Sequence, residues 1–178
     1  MKDILLYKDH QKPLAVRIVV DYYDDRPKVI AIGGKSGVGK TEVANLVADM
    51  LRDEGLHTRI LSQDNFYKAH YREDRKRNID TVGKHELDWV TLNRAIANWK
   101  FSQLYNLIII EGLYSLYADD YDIGYYISQS YNESYGFRKE RGKEDPDCEF
   151  RHRVLDKEAK DVRRSKEKAD TILTYPKV

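Results

Sequence analysis

The chain has 178 residues, a length that suits one domain able to bury a hydrophobic core. Its 31 Lys and Arg residues almost balance its 30 Asp and Glu residues, so the sequence lacks the basic surplus typical of nucleic-acid-binding proteins. No apolar run has the length of a membrane span or the pattern of a secretory signal, and we predict a cytoplasmic protein with neither a nucleic-acid nor a membrane partner.

An apolar run rich in β-branched residues lies near the start of the chain. Residues 14–20 (LAVRIVV) predict a strand, and the polar residues 21–27, which end in proline, predict a turn or linker. On this interpretation residues 1–27 are an N-terminal strand and linker, and residues 28–178 form the main domain.

Short apolar runs alternate with helical spacing in the rest of the chain. The helical pattern begins near residues 41, 92 and 150, and the long polar segment at residues 67–84 is typical of a functional connection. This alternation predicts an α/β fold, a three-layer sandwich with a mainly parallel sheet covered on both faces. The predicted strands are 28–33, 58–62, 107–110, 123–127 and 171–173.

A phosphate-binding pattern links the first of these strands to the following helix. Residues 34–41 (GKSGVGKT) match G-x-x-x-x-G-K-[ST] at every defined position. Glycines let successive backbone N–H groups point at phosphate oxygens, and the helix N-terminus adds partial positive charge. We therefore predict a site for ATP and Mg²⁺, in which Lys40 reaches the phosphates and Thr41 binds the metal. The predicted ATP contacts are Gly34, Lys35, Ser36, Gly37, Val38, Gly39, Lys40 and Thr41.

Two carboxylates follow predicted strands at the edge where such sites are built. Asp64 comes just after the strand at 58–62, where it can accept the proton of an attacking hydroxyl. Glu111 ends the apolar run LIII, and a charge at that point suits a metal ligand. Each residue also has a structural alternative, as a turn cap or a strand terminus.

These motifs resemble the uridine kinase and phosphoribulokinase family of P-loop kinases. The similarity extends over most of residues 29–173. The matching segments are the phosphate loop, SQDNFYK at 62–68, the Glu-Gly pair at 111–112, RKERGK at 138–143 and KADTIL at 168–173.

The resemblance implies a role for each matching residue. Asp64 corresponds to the catalytic base, Glu111 lies near the metal, and Lys40 contacts the phosphates. Arg138 and Arg141 correspond to cations of a small helical lid that closes over the nucleotide. Guanidinium groups suit this task because they are planar, permanently charged and able to bind two oxygens.

The implied activity is transfer of the γ-phosphoryl group of ATP to a hydroxyl of a small polar metabolite. Tyr67, Asp80 and His85, in or near the long connection, are the predicted substrate contacts. The segment at 91–106 holds one predicted helix, whereas uridine kinases have a hairpin there that contacts the nucleobase. The resemblance therefore does not extend to base recognition.

Two other functions fit the same motifs. A nucleoside monophosphate kinase-like enzyme would use a phosphate acceptor and need no catalytic base. A regulatory switch would bind a nucleotide without any small-molecule acceptor. The acceptor, the preference for adenine over guanine and any homo-oligomeric state stay open.

Overall fold

The structure is a computed structural model that describes residues 9–71, 73, 78–142, 145 and 147–176. After the first helix, strands and helices alternate up to residue 102, and two strands, two helices and one last strand follow. The α-helices in the described residues are α1 (Lys12–Asp25), α2 (Lys40–Asp53), α3 (Trp89–Ser102), α4 (Tyr131–Arg141) and α5 (Glu149–Ser165). The strands are β1 (Val29–Gly34), β2 (Thr58–Ser62), β3 (Leu107–Glu111), β4 (Ile123–Ser128) and β5 (Thr171–Thr174).

All strand pairs of the sheet are parallel, in the order β2-β3-β1-β4-β5. Because the strands are parallel, their carboxyl ends share one edge of the sheet, and the phosphate loop leaves the central strand β1 at that edge. The register places Ser62 beside Glu111, so the ends of β2 and β3 are level. The predicted α/β fold with a parallel sheet is confirmed.

The two faces of the sheet pack against different helices, which gives three layers. On one face, Ile30 and Ile32 of β1 share a hydrophobic cluster with residues of α1 and α2. On the other face, Val29 and Ala31 of the same strand pack with residues of α3 and α5. A strand buried on both faces is apolar along most of its length, which explains the continuous runs in β1 and in β3 before Glu111.

The strand predicted at residues 14–20 is wrong, because these residues lie in helix α1. The buried residues Leu14, Ala15, Ile18 and Tyr22 follow helical spacing and face α2, whereas Val16 is exposed. Packing of this stripe outweighs the β-propensity of the branched residues. Helix α1 and α2 share one hydrophobic cluster, and the division of the chain after residue 27 stays a prediction.

No helix in the described parts of the chain is both long and apolar enough to span a bilayer.

Candidate active site

The phosphate loop has the backbone geometry that its glycines predict. Gly37 and Gly39 have φ values of 79° and 82°, in the left-handed region where a side chain would be strained. Gly39 is the N-cap of α2, so the N-terminus of that helix points into the loop. The Lys40 ammonium donates a 2.8 Å hydrogen bond to the Lys35 carbonyl and thus lies across the loop.

The predicted metal ligands lie side by side. Thr41 Oγ1 donates a 3.0 Å hydrogen bond to Glu111 Oε2, and Glu111 is 4% exposed. Burial raises the pKa of Glu111, while hydrogen bonds from Ser62 and Thr41 and the charge of Lys40 act in the opposite direction. A hydroxyl and a carboxylate fit Mg²⁺, which takes its other ligands from phosphates and water.

Asp64 lies in a short 3₁₀ turn, Gln63–Phe66, directly after β2. Its carboxylate is exposed, and its charge is one of those that raise the pKa of Glu111. The turn is anchored by the buried Gln63, whose Oε1 accepts a 2.7 Å hydrogen bond from the Tyr114 backbone N–H. Asp64 and the Thr41–Glu111 pair therefore occupy the same edge of the sheet.

Arg138 packs over the tip of the phosphate loop. A Cβ atom at Gly37 would lie 2.3 Å from Arg138 Cγ, so only glycine leaves room for this side chain. Arg138 is 2% exposed, and its Nη2 donates a 3.3 Å hydrogen bond to the Tyr131 carbonyl. Its Nε and Nη1 are buried without a hydrogen-bond partner among the described residues. Buried N–H donors without an acceptor are costly, and a phosphate oxygen would satisfy them.

A second arginine at the loop, Arg151, was missed by sequence reasoning. Its Nη2 donates a 3.2 Å hydrogen bond to Ser36 Oγ, from the first turn of α5. No sequence motif marks this residue, since its position depends on how α5 packs against the loop. Arg141, the other predicted lid cation, is the last residue of α4, and its side chain lies outside the described part of the structure.

An open cleft of about 330 Å³ adjoins Asp64. Its walls include the rings of Tyr67 and Tyr71, which stack with centroids 3.8 Å apart and planes 13° apart. Of the predicted substrate contacts, only Tyr67 belongs to this lining. The described residues that line the cleft are Asp64, Tyr67, Lys68, His70, Tyr71 and Glu73.

Asp80 and His85 have other surroundings. Asp80 forms an exposed ion pair with Lys157 of α5, with Nζ and Oδ1 3.1 Å apart. The His85 carbonyl accepts a 2.7 Å hydrogen bond from Lys68 Nζ. The substrate roles of both residues stay predictions.

Comparison with known proteins identifies one sequence family. The sequence model of the Zeta toxin family matches residues 19–120, more than half of the chain and a range that includes Lys40, Thr41, Asp64 and Glu111. The matched family is therefore not the uridine kinase and phosphoribulokinase family that the motifs resemble. No curated protein matches the sequence significantly.

Solved structures share the fold at low sequence identity. A candidate fructose transport system kinase from Silicibacter sp. TM1040 is 16% identical, with a TM-score of 0.63, and the match covers 95% of this chain and 100% of that one. A candidate uridine kinase from Bacillus stearothermophilus is 17% identical, with a TM-score of 0.56, and the match covers 93% of this chain and 97% of that one. At these identities the structural matches show the fold alone, which is that of the P-loop kinases.

Proposed function

Because the chain belongs to the Zeta toxin family and has the P-loop kinase fold, we propose that it transfers the γ-phosphoryl group of ATP to a hydroxyl of a small polar metabolite. One observation carries the proposal. The phosphate loop, the Thr41–Glu111 pair and Asp64 lie at the same edge of the sheet. The proposed setting is the cytoplasm, where ATP and magnesium are available.

Three cations around the loop suit the charge of a triphosphate. Lys40 lies across the loop, and Arg151 contacts Ser36. Arg138 brings buried N–H donors to Gly37. We assign Arg138 and Arg151 to the transferring phosphoryl group, whose charge spreads over its equatorial oxygens. Arg141 remains a predicted lid cation.

Thr41 and Glu111 would hold Mg²⁺, which would neutralise part of the negative charge of the triphosphate. The Thr41–Glu111 hydrogen bond holds the two proposed metal ligands together at the end of β3. The positive charge of Lys40 favours the ionised form of Glu111. These residues thus place a carboxylate and a hydroxyl side by side near the phosphate loop.

Asp64 is the proposed general base. In the transfer step, the acceptor oxygen forms a bond to the γ-phosphorus, and the bond from that phosphorus to the bridging oxygen breaks. ADP leaves with the electron pair of the broken bond. The acceptor proton passes to the Asp64 carboxylate and then to solvent. Because Asp64 is exposed beside the cleft, an acceptor and then water can reach it.

The substitution Asp64→Asn tests this role. Without the base, ADP production stimulated by an acceptor should fall by about 10²–10⁴-fold, while Mg·ATP should bind with unchanged affinity. A coupled ADP assay with sugars, nucleosides and hydroxy acids measures the first quantity, and isothermal titration measures the second. Asp119→Asn, an exposed change outside the cleft, is the matched control.

The result also separates the alternatives. Near-normal turnover in Asp64→Asn with a nucleoside monophosphate would indicate a phosphate acceptor, which needs no base. Nucleotide binding without stimulation by any acceptor would indicate a regulatory switch. A wild-type protein that binds no Mg·ATP would contradict the proposed function altogether.

A further inference from the structure

Tyr131, the first residue of α4, places one aromatic ring beside two cations of the phosphate site. The Lys35 ammonium lies 4.7 Å from the ring centroid, and the guanidinium carbon of Arg138 lies 5.4 Å from it. A cation within about 6 Å of an aromatic ring centroid is attracted to the ring face. Lys35 belongs to the phosphate loop, whereas Arg138 packs over Gly37 from two turns further along α4. The ring therefore links the loop to the helix that carries Arg138.

Hydrogen bonds fix the position of the Tyr131 ring. Its hydroxyl donates a 3.1 Å hydrogen bond to the Leu155 carbonyl of α5, and burial raises its pKa, so the hydroxyl keeps its proton. Its backbone carbonyl accepts the 3.3 Å hydrogen bond from Arg138 Nη2. In the capping box before it, the Ser130 N–H donates to Glu133 Oε2 and the Glu133 N–H donates to Ser130 Oγ. The first turn of α4 and the body of α5 thus hold the ring together.

Two positive charges beside one ring repel each other and need compensation. Arg138 is 2% exposed, so water screens its charge poorly. The negative face of the Tyr131 ring offsets part of this repulsion. Hydrogen bonds from Ser130 lower the pKa of Glu133, and the charge of Lys35 lowers it further, so this carboxylate also compensates Lys35. A triphosphate would supply the remaining negative charge.

We propose that Tyr131 is a positioning residue of the phosphate site, whose ring holds Lys35 and Arg138 in the orientation that binds the terminal phosphate of ATP. The two cations bind the phosphate, and Tyr131 acts only through them. A correctly oriented cation pair favours a triphosphate over a diphosphate, because it meets the additional charge of the third phosphate. The inference rests on the proposed function, in which Arg138 is assigned to the transferring phosphoryl group.

Nucleotide binding tests this role without any acceptor. Isothermal titration of the full chain with magnesium measures the Kd for ADP and the Kd for a non-hydrolysable ATP analogue. The ratio of these two values reports the contacts of the terminal phosphate. A substitution that only loosened the fold would weaken the binding of both nucleotides alike, so the ratio separates a positioning role from a general structural one.

Three replacements of Tyr131 separate the ring from the hydroxyl. Tyr131→Phe removes the hydroxyl and keeps the ring, whereas Tyr131→Leu removes the ring and keeps apolar bulk. Replacement of Tyr131 by trifluorophenylalanine keeps the shape of the ring and weakens its negative face. Tyr135→Leu is the matched control, because Tyr135 lies one turn further along α4 beside Lys139, with its hydroxyl bonded to Asp147.

Tyr131→Leu should raise the Kd for the triphosphate analogue by about tenfold and the Kd for ADP by less than about twofold. Trifluorophenylalanine should raise the first value by about fivefold, while Tyr131→Phe and Tyr135→Leu stay within about twofold of the wild type for both nucleotides. A wild-type ratio in the trifluorophenylalanine protein would overturn the inference, whether or not Tyr131→Leu folds. Equal losses for both nucleotides in a Tyr131→Leu protein with the wild-type melting temperature would also overturn it.

A double-mutant cycle tests whether Tyr131 acts through the two cations. Lys35→Met and Arg138→Met together remove both charges and keep long side chains. In that background Tyr131→Leu should have no further effect on the Kd for the triphosphate analogue, because the ring has no cation left to hold. An undiminished loss of affinity in that background would show that Tyr131 acts by another route and would contradict the inference.

Failure of this inference and failure of the proposed function give different results. If Tyr131→Leu binds the analogue as the wild type does, while an acceptor stimulates ADP release, the kinase assignment stands and the role of Tyr131 does not. If the variants behave as expected but no acceptor stimulates ADP release by the wild type, the role of Tyr131 at the triphosphate stands and the assignment of hydroxyl transfer is wrong.

Discussion

Glu111 places a carboxylate where water has almost no access. The side chain ends the apolar strand β3, and its burial outweighs the opposing effects of Ser62, Lys40 and Thr41 on its pKa. A buried charge lowers the stability of the folded protein, so a carboxylate at this position points to a functional role. The proposed coordination of magnesium by Glu111 would provide that role.

Glu111→Gln should therefore raise stability and lower activity. Above the ordinary pKa of glutamate, the unfolded chain loses this proton before the folded chain does, so wild-type stability falls as pH rises towards the raised folded pKa of Glu111. The variant has no such loss, and its advantage in melting temperature should grow from acidic to neutral pH. Each kcal/mol recovered corresponds to about 2–4 °C in a chain of this size.

Thermal melts of wild type and Glu111→Gln without magnesium, at several pH values, measure the stability difference. Magnesium-dependent turnover should fall by at least about 10-fold in the variant, because a proposed metal ligand is changed and changes even to outer-shell partners cost about 10–100-fold. A melting-temperature difference that is constant across pH would contradict the assigned burial effect. Unchanged magnesium dependence would remove Glu111 from the metal site.

Two residues from opposite ends of the described chain, Gln11 and Tyr175, pack against the phosphate loop. Tyr175, just after β5, donates a 2.7 Å hydrogen bond from its hydroxyl to the Val38 carbonyl. A Cβ atom at Gly39 would lie 2.7 Å from both this hydroxyl and Gln11 Nε2, so glycine is required for their close approach. Burial raises the pKa of Tyr175, which keeps the hydroxyl protonated as a donor. These contacts hold Val38 and Gly39 in place directly before the N-terminus of α2.

Tyr175→Phe removes only the hydroxyl and should weaken nucleotide binding. The loss of one buried hydrogen bond of about 1 kcal/mol corresponds to an increase of about fivefold in the Kd for Mg·ATP. Isothermal titration measures this value, and Tyr23→Phe on α1 is the matched control. If both variants bind Mg·ATP as the wild type does, the Tyr175 contact does not position the loop.

At the scale of the whole molecule, α1 is part of the principal core. Its apolar stripe shares a cluster with α2 and with the sheet, while the matched family model begins inside this helix, at residue 19. The three-layer arrangement thus depends on residues that lie before the phosphate loop in the chain. Without α1, the apolar face of α2 would be exposed to water.

Substitutions on the two faces of α1 test this dependence. Ile18 is 0% exposed, and Ile18→Ala should lower the free energy of unfolding by about 2–5 kcal/mol through lost burial and a cavity. Val16 is 47% exposed on the same helix, and Val16→Ala should change it by less than about 0.5 kcal/mol. Urea unfolding of both variants measures the difference, and equal effects would show that α1 is not a core helix.

Local patterns in the sequence were sufficient to predict the strands of the sheet and the phosphate loop. Strand β2 was predicted with its observed bounds, and β1, β3, β4 and β5 within about one residue, because short apolar runs buried on both faces are distinctive. The phosphate loop was predicted from adjacent residues alone. The positions of Asp64 and Glu111 at strand ends followed from the predicted strand bounds in a parallel sheet.

Tertiary packing decided the rest. The residues of α1 are β-branched enough to suggest a strand, and only the apolar faces of α2 and the sheet select the helix. Arg138 and Arg151 reach the phosphate loop from two helices far along the chain, and Tyr71 joins the cleft by stacking on Tyr67. Lys40, Arg138 and Tyr67 were predicted from the sequence. Arg151 and Tyr71 emerged only from the folded chain, because side-chain contacts between segments distant in sequence leave no local periodicity or spacing.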